Sequence, residues 1–156
     1  MKEALLDDVG LLLTLAGVTA VTNLSATMAD CALSPRSHTV LRLAAERPGI
    51  TQSEVAERLS LSPSRVVTIV DELESHRFLE RLVDPLDRRA RGLIATPQGM
   101  DELAASAPAV ARALDHTLAG LDLAEREELH VLLRRLVVGL SRIERSPQPG
   151  ERTSPP

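Results

Sequence analysis

Apolar residues recur every three or four positions along most of this chain, which is the period of helices. Leu5, Leu6, Val9, Leu12, Leu13, Ala16, Ala20 and Leu24 predict a long first helix with two apolar faces. A small domain cannot cover both of them by itself. Ser34-Pro35 reads as a cap with proline at the first helical position. The second helix it opens carries Val40, Leu41, Leu43 and Ala44 to a stop at Pro48-Gly49. Thr51-Gln52-Ser53-Glu54 has the form of a capping box, and Val55, Ala56 and Leu59 give the short third helix its inner side. After the tight turn Ser60-Leu61, Ser62-Pro63 caps a fourth helix over residues 62–78, packed through Val66, Val67, Ile69, Val70 and Leu73. Two such helices joined by three or four residues make a helix-turn-helix.

Beyond Arg77 the pattern changes. Runs at 78–83 and 92–96 flank the charged loop Asp84-Pro85-Leu86-Asp87-Arg88-Arg89-Ala90-Arg91, which predicts a two-stranded ribbon. Pro97-Gln98-Gly99 begins a fifth helix with Leu103, Ala107, Val110, Leu114 and Leu118 on one stripe, and Gly120 interrupts it. Leu129, Leu132, Leu133, Leu136, Val137, Leu140 and Ile143 mark a sixth helix, regular enough to pack between molecules. The tail at 146–156 has four prolines in eleven residues and is expected to be disordered. No internal repeat is present. The fold class that follows is mainly α with a two-stranded β hairpin, in 156 residues that suit one domain with an oligomerisation appendage.

Composition narrows the function. Hydrophobic content is 44% with one Phe and no Trp or Tyr, so the core is built from Leu, Val, Ala and Ile. Such a chain lacks the stacking platforms that read single-stranded nucleic acid. A net charge of −4 argues weakly against any nucleic acid, but its distribution removes most of the objection. Residues 34–99 hold ten Arg against nine Asp and Glu, a balance of +1, and the remaining residues carry −5. One cysteine, Cys31, excludes an intramolecular disulfide. The acidic start (Glu3, Asp7, Asp8) is unlike a signal peptide, and the chain is expected to be cytoplasmic. Residues 9–29 form an uncharged run about the length of a membrane span. Thr14, Thr19, Thr22, Asn23, Ser25 and Thr27 within it favour a buried interface helix and no membrane partner. No Ser-His-Asp spacing, phosphate-cradling Gly loop or HExxH is present, so no enzyme and no cofactor are expected.

The motif Leu59-x-x-Ser62-Pro63-Ser64 … Val70-Asp71-x-Leu73-Glu74, then Leu79-Glu80-Arg81, Asp84-Pro85-x-Asp87-Arg88-Arg89 and Leu93-x-Ala95-Thr96-x-x-Gly99, resembles the MarR family of bacterial winged helix-turn-helix transcriptional regulators. The resemblance runs over nearly the whole chain. It implies a winged helix-turn-helix at 34–99, with helical dimerisation regions at 1–33 and 100–145. It also implies a homodimer on a pseudo-palindromic operator of double-stranded DNA, a repressor relieved by a small-molecule effector or an oxidant. The dimer interface would include Leu5, Val9, Leu12, Leu13, Leu129, Leu132, Leu133, Leu136 and Leu140.

On this reading the fourth helix lies in the major groove with Ser62, Ser64, Arg65 and Thr68 outward, because Val66, Ile69 and Val70 face the core. Arg65 is the candidate base reader, since a guanidinium matches the two acceptors of guanine. Ser62, Ser64 and the helix N-terminus suit a phosphate. The resemblance places Arg89 in the minor groove, with Asp87 orienting it and Arg88 and Arg91 on phosphates. Arg77 stands where the family ends this helix with glycine, and Thr68 and Glu72 stand where it often has basic residues. These departures leave an alternative open, a helical interaction protein of the same fold that has lost DNA binding. Cys31, near the effector region of the family, and His38 are candidate sensing residues, although a buried, inert Cys31 is the favoured reading. Cys31, His38 and His116 could converge, but the chain lacks metal-type ligand spacing and no metal site is expected.

Overall fold

The computed structural model describes residues 7–83 and 91–143. Among them the order is α1 (Val9–Thr27), α2 (Pro35–Glu46), β1 (Ile50–Thr51), α3 (Gln52–Leu59), α4 (Pro63–Ser75), β2 (Leu79–Val83), β3 (Arg91–Ala95), α5 (Pro97–Thr117) and α6 (Leu123–Ile143). The chain is thus mainly helical with one small antiparallel sheet. It forms two compact units that divide between Thr117 and Leu118.

Local capping explains most helix starts. The Ser34 hydroxyl accepts the Ser37 amide at 3.1 Å, with Pro35 at the first helical position of α2. The capping box before α3 is complete: the Glu54 amide donates to Thr51 Oγ1 at 3.2 Å and the Thr51 amide to Glu54 Oε2 at 2.9 Å. Asp8, which the pattern does not mark, caps α1 by accepting the Leu11 amide at 3.1 Å. The expected cap of α4 differs. Ser62 has the extended backbone of an N-cap but makes no side-chain cap bond, and its hydroxyl lies 3.2 Å from that of Ser64. Pro63, fixed in helical φ, starts this helix instead.

α4 also ends at Ser75, short of the predicted 78, because Arg77 adopts a left-handed φ of 58°. The Phe78 amide then donates to the Leu73 carbonyl and the Arg77 amide to the Glu74 carbonyl, both at 2.9 Å. This is a Schellman ending built without glycine. Ser60, at φ 49°, ends α3 the same way, with the Leu61 amide on the Ala56 carbonyl at 3.0 Å.

The sheet has three strands rather than two, in the order β1-β3-β2 and antiparallel throughout. β2 pairs with β3 in the register Leu79↔Ala95, Arg81↔Leu93 and Val83↔Arg91. β1, only two residues long, adds Ile50↔Leu93 and Thr51↔Gly92. Gly92 permits this approach: a Cβ there would stand 2.9 Å from the Gly49 Cα. Gly49, at φ 88°, turns the chain into β1, and its amide donates to the Leu93 carbonyl at 2.9 Å.

One core joins α2, α3, α4, the sheet and α5. Val40, Leu41, Val55, Val66, Val70, Leu73, Leu79 and Leu93 are fully buried in it, with Phe78 and Ala109 alongside. Four expected packing residues depart from it. Val67 is exposed, and the buried stripe of α5 is Gly99, Ser106, Ala109 and Ala113, with Leu103 and Val110 half-buried. Ala107 and Leu114 are exposed, and Leu118 lies beyond the helix. Small residues let the α5 backbone come close, which a reading weighted toward large side chains misses. A Cβ on Gly99 would stand 2.0 Å from the Phe78 carbonyl oxygen.

α1 packs beside α5, where the Asn23 amide donates to the Thr117 hydroxyl at 3.0 Å. No α1 residue is buried, and the hydroxyls of Thr14, Thr22, Ser25 and Thr27 donate to carbonyls four residues earlier. By length and composition α1 could cross a membrane, as it could cover an interface. In the second unit, Asp122 and Glu125 form a reciprocal capping box at 2.8 and 2.9 Å that starts α6. Leu5 and the 146–156 tail lie outside the described residues.

Candidate nucleic-acid interface

The helix-turn-helix presents α4 with one face locked and the opposite face free. Val66, Ile69, Val70 and Leu73 are the buried positions of this helix. At about 100° per residue they leave Ser64, Thr68 and Asp71 at the centre of the outward face, flanked by Arg65 and Glu72 on one side. Ser62, Ser64, Arg65 and Thr68 are all exposed, as their placement in the pattern predicts. The Thr68 hydroxyl donates to the Ser64 carbonyl at 3.1 Å, which leaves its lone pairs to accept from a base edge or a water. In the first turn of α4 Pro63 has no amide hydrogen, and the Arg65 and Val66 amides donate to the Ser62 carbonyl at 3.0 and 3.1 Å.

Next to this helix stands the base of the β2–β3 hairpin. Arg81, on β2, reaches across to α4 and pairs with both Asp71 and Glu74, which lie one turn apart. The arginine side chain is only 14% exposed, whereas its partners are 59% and 42% exposed. Arg81 therefore fixes the hairpin base against the helix. It also neutralises Asp71, a carboxylate on the outward face that would repel phosphates. Sequence reading lists all three residues inside the family motif without giving them this task. Their signal is two carboxylates at i and i+3 followed by an arginine on the next strand.

A second brace holds the other side. The Thr96 hydroxyl donates to the Arg77 carbonyl at 2.6 Å and accepts the Gly99 amide at 3.0 Å, while the Thr96 amide donates to the Phe78 carbonyl at 3.0 Å. The exit motif Thr96-x-x-Gly99 thus caps α5 and ties it to the end of α4. His76 stacks on Phe78 at 5.6 Å, covering the same corner. Asp87, Arg88 and Arg89 lie outside the described residues. Arg91 opens β3, paired through its backbone with Val83.

On another side of this unit, α2 and α5 flank an open cleft of about 520 Å³. Met100, Leu103, Val110 and Leu114 give it aliphatic walls, and His38, Arg42 and Glu46 supply its polar groups. Burial lowers the His38 pKa, and the Arg42 guanidinium lowers it further, so both favour the neutral imidazole. Arg42 is paired with Glu46 at 2.9 Å. A smaller cavity of about 150 Å³, lined by Ala20, Val21, Leu24 and Ala113, lies between α1 and α5. Cys31 is half-buried against the core after α1. Among the described residues Cys31, His38 and His116 do not gather into a metal-ligating group.

Comparison with known proteins agrees with this geometry. Residues 33–90 match the MarR family profile. The chain is 36% identical over 104 residues to a putative transcriptional regulatory protein for the hcr operon of Thauera aromatica. That match covers 67% of this chain and 63% of the relative, so the chain spans less than two thirds of its length. A MarR-family transcriptional regulator from Rhodococcus sp. RHA1 superposes with a TM-score of 0.78 at 29% identity, covering 85% of this chain and 96% of that one. CouR from Rhodococcus jostii RHA1, solved with p-coumaroyl-CoA bound, superposes with a TM-score of 0.74 at 30% identity, covering 85% and 94%.

Proposed function

Since the chain belongs to the MarR family, we propose that it is a transcriptional regulator that binds double-stranded DNA as a homodimer. The observation that carries this reading is the exposed polar start of α4, held by Arg81 against the hairpin base beside it. In the proposed complex α4 enters the major groove. Arg65 reads a guanine edge, Ser62 and Ser64 hold a phosphate, and Thr68 accepts at a base. The wing supplies Arg89 to the minor groove, oriented by Asp87, with Arg88 and Arg91 on phosphates. Regions 1–33 and 100–145 form the dimer, 34–99 forms the winged helix-turn-helix, and the regulator works in the cytoplasm.

A second copy answers the apolar surface left on single helices. On α1, Val9, Leu12 and Leu13 are 76, 40 and 50% exposed; on α6, Leu132, Leu133 and Leu136 are 50, 42 and 42% exposed. Contiguous apolar surface of this kind marks an association site. Leu12→Asp with Leu133→Asp is expected to give monomers in sedimentation equilibrium, and an unchanged dimer would remove these residues from the interface.

The α2–α5 cleft is the place for an effector, with an apolar body against Leu103 and Val110. Its binding would respace the two reading heads and relieve repression. The alternative, an interaction protein without DNA binding, draws on the exposed Asp71 and Glu72 of α4. Arg81 offsets the first of these. Anisotropy with duplexes from upstream of its own gene tests the choice. Binding should fall steeply with salt as counterions are released. An Arg65→Ala, Arg89→Ala variant that still binds would refute the assigned residues.

A further inference from the structure

The outward face of α4 carries one side chain that the polar readout does not use. Val67 is 43% exposed, whereas Val66, Ile69, Val70 and Leu73 are 0, 6, 0 and 1% exposed, so the core is filled without it. Among the described residues between Leu33 and Gly99, only Leu82 is a comparably exposed large hydrophobic side chain. Around the helix axis Val67 stands about 60° from Ser64 and about 40° from Asp71, on the flank opposite Arg65. The Arg81 brace passes over Asp71 and Glu74 and still leaves Val67 open.

A valine in this position cannot exchange a hydrogen bond with any base edge. The one aliphatic group that the major groove offers is the C5 methyl of thymine. Valine suits it well, because its single stiff χ1 loses little freedom on contact. We infer that Val67 is a specificity-determining residue that packs its methyl groups on a thymine C5 methyl in each half-site. The chain then favours an A·T pair at one position of the half-site, next to the base met by Ser64 or Thr68. This inference rests on the DNA-binding reading above.

Deoxyuridine supplies the test, since it differs from thymidine only by the missing methyl. Selection from random duplexes with the full-length protein gives the preferred site, and each thymine is then replaced by deoxyuridine symmetrically in both half-sites. At one position the wild type should bind about fourfold more weakly per half-site, the worth of one buried methyl group. Val67→Ala, whose melting temperature should match the wild type because the site is exposed, should bind the two duplexes equally. Equal binding of thymine and deoxyuridine by the wild type at every position overturns the inference. So does a Val67→Ala variant that keeps the difference. If no duplex is enriched at all, it is the DNA-binding reading itself that fails.

Discussion

The Thr96 hydroxyl spans the 19 residues back to Arg77, donating to its carbonyl at 2.6 Å while accepting the Gly99 amide at 3.0 Å. One hydroxyl therefore serves the end of α4 and the start of α5 together. Thr96→Val keeps the shape and removes both bonds, leaving a buried amide unpaired. Urea denaturation should show a loss of about 2 kcal/mol. Gly99→Ala should cost more, about 3 kcal/mol or beyond, since its methyl would meet the Phe78 carbonyl. A neutral Gly99→Ala would mean that α5 does not approach Phe78 this closely.

Arg77 holds a left-handed backbone at φ 58° without glycine's freedom. Arg77→Gly should raise stability by about 1 kcal/mol, the relieved strain outweighing the added entropy of the unfolded chain. The same measurement should find Arg77→Val destabilised, because a β-branched residue is worst suited to this region. Equal stability of the glycine and arginine forms would show that the α4 ending is unstrained.

Arg81 meets two carboxylates that are each substantially exposed, so water screens much of the attraction. Arg81→Met should therefore lower stability by only about 1 kcal/mol. Its effect on the proposed DNA binding should be larger, about tenfold in affinity, because the hairpin base loosens and the Asp71 charge is left without its arginine partner. Adding Asp71→Asn and Glu74→Gln should restore part of that affinity. If the triple variant binds no better than Arg81→Met, the carboxylates are not what the arginine offsets.

His38 gives a pH dependence with a definite sign. Its folded pKa is lowered from 6.5 by burial and by Arg42, so the unfolded chain takes up a proton more readily. The stability it contributes is complete above about pH 6.5 and is lost as pH falls toward the folded value. Glu54, lowered from 4.5 by the Thr51 bonds, behaves likewise but only below about pH 4.5. Between pH 7.5 and 5 the wild type should lose more stability than His38→Gln in paired urea titrations. Parallel losses would locate the pH effect elsewhere.

Local chemistry made much of this protein legible from sequence. The Ser34-Pro35 start and the Thr51–Glu54 box depend on residues within a few positions of one another. What escaped is non-local or lacks a period. β1 is two residues long and hides behind a helix cap. The Arg81 brace joins residues ten and seven positions apart on different elements. Val67 follows the apolar pattern yet falls on the open flank, because four neighbours already fill the core. The small-residue stripe of α5 escaped because close backbone approach, not bulk, sets its packing. In the candidate site Ser62, Ser64, Arg65 and Thr68 are exposed as their order in the helix implied, while Arg81 and Val67 needed three dimensions.

Thr51 belongs to two elements at once. It caps α3 through Glu54 and, as part of β1, pairs with Gly92 of β3. The first helix of the helix-turn-helix and the base of the hairpin are thus bolted through a single residue, and Arg81 bolts the second helix to the same hairpin. Among the described residues, both helices are therefore tied to one sheet. On the DNA-binding reading proposed above, a signal that retunes binding would carry both helices and the hairpin base as one body.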